Sequence, residues 1–180
     1  MEKITDYIPQ LPERKRSTKP PYRKPQSIKD FEEEYMRWHY RGKEHIFTPE
    51  MRIKPTFRDD KANGLTKLIE AWLKVKGHFG GRVNTMGTYN VKLGKFITSG
   101  SRKGMADITA VMNGRHVSIE VKIGNDKPRE AQLEVQQQIQ QAGGVYIFVS
   151  SFDDFIHQIR DLEKILLRKI SILHSGKKKR

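Results

Sequence analysis

Apolar residues recur at helical spacing in four stretches of the chain, with strand-like runs between them. Ile28, Phe31, Tyr35 and Trp38 fall on one side of a first helix, for which Ser27 and Asp30 form a capping box. Leu65, Leu68, Ile69, Trp72 and Val75 mark a second, ended by Gly77. A third lies between Pro128, near its start, and Gly143, just past its end, with Ala131, Val135, Ile139 and Ala142 on one side. Ser151 and Asp154 cap the fourth, which turns Phe155, Ile159, Leu162 and Leu166 inward. "FTPEMRIKPTFRDDKAN" reads as an irregular connector, and residues 80–104, rich in Gly, Thr, Lys and Arg, as short strands and a loop. "VYIFVS" is a strand buried on both faces. The order helix, strands, hairpin, helix, strand, helix predicts an α/β domain with a mixed sheet flanked by helices.

The hairpin is "KGMADITAVMNGRHVSIEVKIG", residues 103–124. Asn113-Gly114 signals a two-residue turn. With those two as the loop, Met112 pairs with Arg115, Val111 with His116, Ala110 with Val117 and Ile108 with Ile119. One step further, Asp107 lies opposite Glu120. Alternation puts Asp107, Thr109 and Val111 on one face with Ser118, Glu120 and Lys122. Ile108, Ala110, Ile119 and Val121 take the other face. Opposed Cβ atoms stand roughly 4.5–5.5 Å apart, so the two acids repel. Either one acid takes a proton or a cation sits between them. A divalent, oxygen-preferring ion such as Mg²⁺ is the natural bridge, with Lys122 beside it to stabilise developing negative charge. Two acids, a lysine and a hard cation suit phosphodiester hydrolysis. On spacing alone the same residues also fit an exposed hairpin face with solvated charges.

Composition moves the picture toward a polyanion partner. Lysine and arginine number 35 against 21 acids, a net charge of +14. Nucleic acid is the first candidate and an anionic membrane the second, though no basic amphipathic helix with large apolar anchors is evident. Hydrophobic residues make up 36% of the chain, so part of it is expected outside the core. We expect residues 1–62 to be a basic, proline-containing arm plus one helix, 63–170 the compact domain, and 171–180 a basic tail. The helix at 28–38 packs on its own domain or on a second subunit. No apolar run reaches the roughly 18–20 residues of a membrane span. The N-terminus has no apolar signal core, and there is no cysteine, which excludes disulfides and thiolate zinc sites. A cytoplasmic location is the expectation.

In order along the chain stand Arg82-Val83-Asn84, Gly104-Met105-Ala106-Asp107, Glu120-Val121-Lys122 and Gln132. Together they resemble the PD-(D/E)xK nuclease superfamily, and within it the virus-type replication–repair nuclease (VRR-NUC) domains. The similarity covers residues 63–155, about half the chain. It implies a restriction-endonuclease-like fold and a nuclease acting on structured or branched DNA in replication, repair or recombination, of phage or bacterial origin. It implies that Asp107 and Glu120 bind Mg²⁺ or Mn²⁺ with the Val121 carbonyl, that Lys122 orients or activates the attacking water, and that Gln132 supports the site from its helix. Ala106 stands where the family has proline. No acid stands at 61–63, where the family supplies one from its first helix; Glu70, Asp59 and Asp60 are the candidates for that role.

Arg82, Asn84, Arg102 and Lys103 are the nucleic-acid-binding candidates, with Lys92 and Lys95 also flanking the site. A homodimer would bring two active sites to two strands. Two other readings stay open: a non-catalytic DNA-binding module on a nuclease fold, and a basic scaffold whose acids make only surface ion pairs.

Overall fold

The computed structural model of the chain describes residues 21–83, 87–97, 100 and 102–176, the last helix beyond residue 164 by its backbone alone. Residues 1–20 of the expected arm and the terminal basic residues 177–180 lie outside the described residues. The elements are α1 (Gln26–His39), a 3₁₀ turn (Pro49–Met51), α2 (Ala62–Val75), β1 (Phe79–Arg82), β2 (Thr88–Asn90), β3 (Lys95–Ile97), β4 (Ile108–Met112), β5 (Arg115–Val121), α3 (Glu130–Gln141), β6 (Val145–Val149) and α4 (Phe152–Gly176). None of the described helices is long and apolar enough to cross a membrane.

Four strands form one mixed sheet in the order β1-β4-β5-β6. β5 and β6 run parallel, joined through α3 as a βαβ unit, and the other neighbours are antiparallel. β2 and β3 pair only with each other. The expected mixed α/β architecture is therefore present.

Alternation along β4 and β5 divides the sheet into two unlike faces. Ile108, Ala110, Met112, Val117, Ile119 and Val121 face a core shared with Leu65, Leu68, Ile69 and Leu73 of α2 and with Phe152, Phe155 and Ile159 of α4. Ile28 and Phe31 of α1 lie in that same core, so the first helix packs on its own domain and the core does not begin at residue 63. α3 covers the opposite face over β6, where Ala106, Val135 and Tyr146 form a second, smaller cluster.

Several local expectations need correction. The capping box of Ser27 and Asp30 is not formed. α1 starts at Gln26 behind Pro25 with no side-chain cap, and Asp30 instead accepts the Gln26 amide at 2.8 Å. Among the described residues the buried Ser27 hydroxyl has no hydrogen-bond partner. On α2, Leu73 is buried, whereas Val75 is only partly so. Ala142 is exposed because α3 ends at Gln141. α4 runs to Gly176, through the first part of the expected tail. At its other end the cap is as expected, the Ser151 hydroxyl accepting the Asp154 N–H at 3.1 Å.

Two acids hold the N-terminal segment against this core. Buried Glu32 pairs with Lys24 and accepts the Phe57 N–H at 2.9 Å. Asp59, 7% exposed, accepts the Tyr22 hydroxyl at 2.8 Å and the Phe152 N–H at 3.1 Å. The second bond places a carboxylate at the positive end of α4. Replacing Asp59 by alanine leaves that buried N–H without its acceptor. We predict a stability loss of about 2 kcal/mol, a fall in Tm of roughly 4–8 °C by circular dichroism. An unchanged melting temperature would show that Asp59 does not anchor the segment.

Candidate functional site

The site is built on the β4–β5 hairpin. Asn113 and Gly114 have φ of 50° and 75°, the positive pair a two-residue primed turn requires. That turn sets the expected register, Met112 opposite Arg115 through to Ile108 opposite Ile119. The next pair is Asp107 and Glu120, and their side chains interlock with the backbone. Glu120 Oε2 accepts the Asp107 N–H at 3.2 Å, and Asp107 Oδ2 accepts the Val121 N–H at 3.0 Å. In a strand a residue's N–H and C=O point the same way, so the Val121 carbonyl also faces Asp107. The Lys122 N–H points oppositely, to the Val149 carbonyl at 2.8 Å. The pair thus lies at the carboxyl end of parallel strands β5 and β6, where open α/β sheets commonly place ligands.

Lys122 and Gln132 complete the group. Lys122 is 8% exposed, with its Nζ 3.1 Å from Glu120 Oε1 and 3.2 Å from Asp126 Oδ2. Burying an ammonium is costly unless it is paired, and here two carboxylates pair it. Gln132 stands in the first turn of α3. Its amide oxygen accepts the Arg129 N–H at 3.0 Å, which fixes the amide's orientation and leaves its nitrogen to donate to Glu120 Oε1. Asp107, Glu120, Lys122 and Gln132 are therefore brought together, as the sequence led us to expect.

Burial pushes the Glu120 carboxyl up, and the neighbouring Asp107 charge adds to the shift; Lys122 and Gln132 oppose it. Each carboxylate has roughly four lone-pair positions. Among the described residues Glu120 uses three, on Gln132, Lys122 and the Asp107 N–H, while Asp107 uses one. The remaining positions, mostly on Asp107, together with the Val121 carbonyl form an all-oxygen donor set. Such a set suits Mg²⁺ or Mn²⁺ and does not suit a soft metal. Among the described residues no three His, Cys, Asp or Glu side chains converge as a metal cluster, so a cation here depends on two carboxylates and a carbonyl.

The other candidates lie as follows. Glu70 is half-buried on α2 and accepts the Arg82 N–H at 3.0 Å, which caps the outer edge of β1. Arg82 pairs with Ile108, so this acid reaches the sheet one ladder step from Asp107. Asp59 is held by Tyr22 and α4, and Asp60 by Arg58 through bonds of 3.0 and 2.7 Å. Both acids are thus committed elsewhere. The register gives Arg82 the face of Ile108, opposite to that of the acid pair. Arg102 and Lys103 are exposed on the approach to Asp107, and Asn84 lies outside the described residues. His116, on the acid-bearing face, bonds the buried Ser118 hydroxyl at 2.9 Å.

Three features were not foreseen. Asp126 holds Lys122 from the β5–α3 loop, and its only signal was an acid four residues after a lysine. Tyr146 is buried under the site and donates to the Gly104 carbonyl at 3.2 Å. Burial, and then the charges of Glu120 and Asp107, push its hydroxyl well above the ordinary tyrosine range. Gly104 has φ +84°, and a Cβ there would lie 2.1 Å from the Ala131 carbonyl oxygen. Only glycine lets the loop carrying Asp107 approach α3 this closely.

The raised Glu120 pKa has a definite sign. An acid that binds its proton more tightly when folded favours folding below its ordinary pKa of about 4.3, and that contribution is lost as pH rises through the folded value. At neutral pH the ionised Glu120 carboxylate is therefore less favourable in the folded protein than its protonated form is at low pH. Asp107→Asn keeps an oxygen for the Val121 N–H and removes the like charge. It is expected to raise stability in EDTA by up to about 1 kcal/mol, or roughly 2–4 °C in Tm, with the gain shrinking as the pH falls toward 4. A lower Tm at neutral pH would contradict the repulsion.

No protein-family model, curated protein or solved structure matches the chain, so the chemistry of the site rests on its own residues.

Proposed function

We propose that the chain is a metal-dependent nuclease that hydrolyses phosphodiester bonds of DNA on a restriction-endonuclease-like framework, with structured or branched DNA of replication, repair or recombination as its substrate. The observation that carries this reading is the convergence of Asp107, Glu120, buried Lys122 and Gln132 at one end of β5. Asp107, Glu120 and the Val121 carbonyl would hold Mg²⁺ or Mn²⁺, which when bound would supply Lewis acidity to the phosphate and lower the pKa of a coordinated water. Lys122, fixed by Glu120 and Asp126, keeps a positive charge beside the acids without further reorganisation, as stabilisation of a developing oxyanion requires. Gln132 holds the Glu120 carboxylate in one orientation. Arg102 and Lys103, exposed in the segment that leads to Asp107, would meet phosphates, and the net charge of +14 favours the approach of a polyanion.

A second reading, a DNA-binding module without catalysis, is favoured by the engagement of Glu70 with the Arg82 backbone, which leaves the acid pair without a third carboxylate from α2.

Incubation with labelled linear and branched DNA separates the two. Cleavage is expected with Mg²⁺ or Mn²⁺ and not in EDTA. Asp107→Ala and Lys122→Ala should each slow it by about a hundredfold or more while the proteins stay folded. Cleavage that survives either substitution removes the assigned site, and binding without cleavage under every metal condition selects the second reading. Separately, Arg102→Ala with Lys103→Ala should flatten the dependence of log affinity on log salt by about 2 for duplex DNA. An unchanged slope would take these two residues out of the phosphate contacts.

A further inference from the structure

β2 and β3 form a hairpin that, among the described residues, touches no other element. It is inserted in the sequence between β1 and β4. The strand before it ends where the Val83 N–H bonds the Asp107 carbonyl at 2.7 Å, and the chain returns through Arg102, five residues before Asp107. A lone two-stranded hairpin is marginally stable at best, and its apolar side chains normally need a core to cover them. Here they face solvent. Tyr89 is 58% exposed, Phe96 59% and Val91, at the tip, 84%. Tyr89 and Phe96 are direct cross-strand partners, so both side chains leave the hairpin on one face. The tip is shaped locally: the Leu93 N–H donates to Asn90 Oδ1 at 3.1 Å, and Gly94 takes φ 58°.

The charge carried by this segment is of one sign. Residues 79–106 contain Arg82, Lys92, Lys95, Arg102 and Lys103 and no acid. A second copy of the chain docking on this hairpin would set those cations against their own kind. A nucleic acid would neutralise them and supply flat bases for the rings.

We propose that the β2–β3 hairpin is a binding element for unpaired DNA, its Tyr89–Phe96 face stacking on exposed bases while Lys92, at the tip, meets the backbone phosphates. Base–aromatic stacking needs no sequence match, because every base has a π-face. The inference rests on DNA as the partner in the reading above, but it does not require cleavage, so binding in EDTA tests it separately.

Fluorescence anisotropy with the full chain would compare labelled oligo(dT) and a labelled duplex of equal length. The double variant Tyr89→Ala/Phe96→Ala should bind oligo(dT) about tenfold more weakly or worse. Its duplex affinity and Tm should stay unchanged, because the rings touch no other element. Tyr89→Trp/Phe96→Trp should restore oligo(dT) binding, since a larger ring stacks as well. Equal loss on both DNAs, no loss on either, or no recovery with tryptophan would overturn the proposal. So would sedimentation that shows the double variant falling from dimer to monomer, or loss of phosphatidylserine-vesicle binding with oligo(dT) affinity intact. Should no DNA be cut under any metal condition while the oligo(dT) effect holds, the nuclease reading fails and the hairpin's role stands. Cleavage that needs Asp107 without an oligo(dT) effect gives the reverse.

Discussion

The reciprocal contact between Asp107 and Glu120 is the constraint around which the site is organised. Each acid side chain accepts a backbone N–H from the opposite strand, so the two carboxylates close the open end of the β4–β5 ladder in place of the next backbone pair. The same contact brings two like charges together at a largely buried position, Glu120 being 5% exposed. Lys122 and Gln132 both converge on the oxygen of Glu120 that does not bond Asp107. That arrangement compensates the cost on Glu120 and leaves Asp107 with most of its acceptor capacity. The asymmetry separates a positioned acid from one able to take a further ligand.

This cluster is tolerable because the sheet's two faces do different work. The face toward α1, α2 and α4 is continuous and apolar, with Ile108 and Ile119 fully buried beneath the acids. The opposite face is covered by α3 only over β6, and its polar row of Ser118, Glu120 and Lys122 is satisfied by side chains rather than by packing. The helix rich in glutamine reflects the same division. Gln132 and Gln136, one turn apart, point at the sheet and bond Glu120 and the Tyr146 carbonyl, while Gln137 and Gln138 are exposed.

What could be read from the sequence was whatever is decided locally. The Asn-Gly turn fixes a register, and the register fixes which side chains share a face, so the hairpin and its three charges followed from a few adjacent residues. The cap of α4 followed for the same reason. The cap of α1 did not, because Pro25 and the packing of the preceding segment decide where that helix starts. Leu73 escaped a strict helical face because β1 approaches α2 through Gly80, where a Cβ would lie 2.9 Å from the Leu73 side chain. Tyr146 and Asp126 were illegible as site residues. Tyr146 belongs to an apolar strand that only the βαβ crossing sets beside β5, and Asp126 lies in a loop, where its sequence does not distinguish it from a solvated acid.

The three candidate acids outside the hairpin show how tertiary context assigns roles that residue type leaves open. Asp59, Asp60 and Glu70 are all carboxylates near α2 in sequence. Asp59 ends buried at the N-terminus of α4 and works as a helix anchor, while half-buried Asp60 pairs with exposed Arg58. Glu70 alone reaches the sheet, at the β1 donor next to the ladder position of Ile108. Its bond to the Arg82 N–H is made at an exposed edge, where water can replace a carboxylate at small cost. The same cannot be said of Asp59, whose oxygens satisfy a buried N–H. Of the three, only Glu70 reaches the sheet, and it does so through a contact that water can replace.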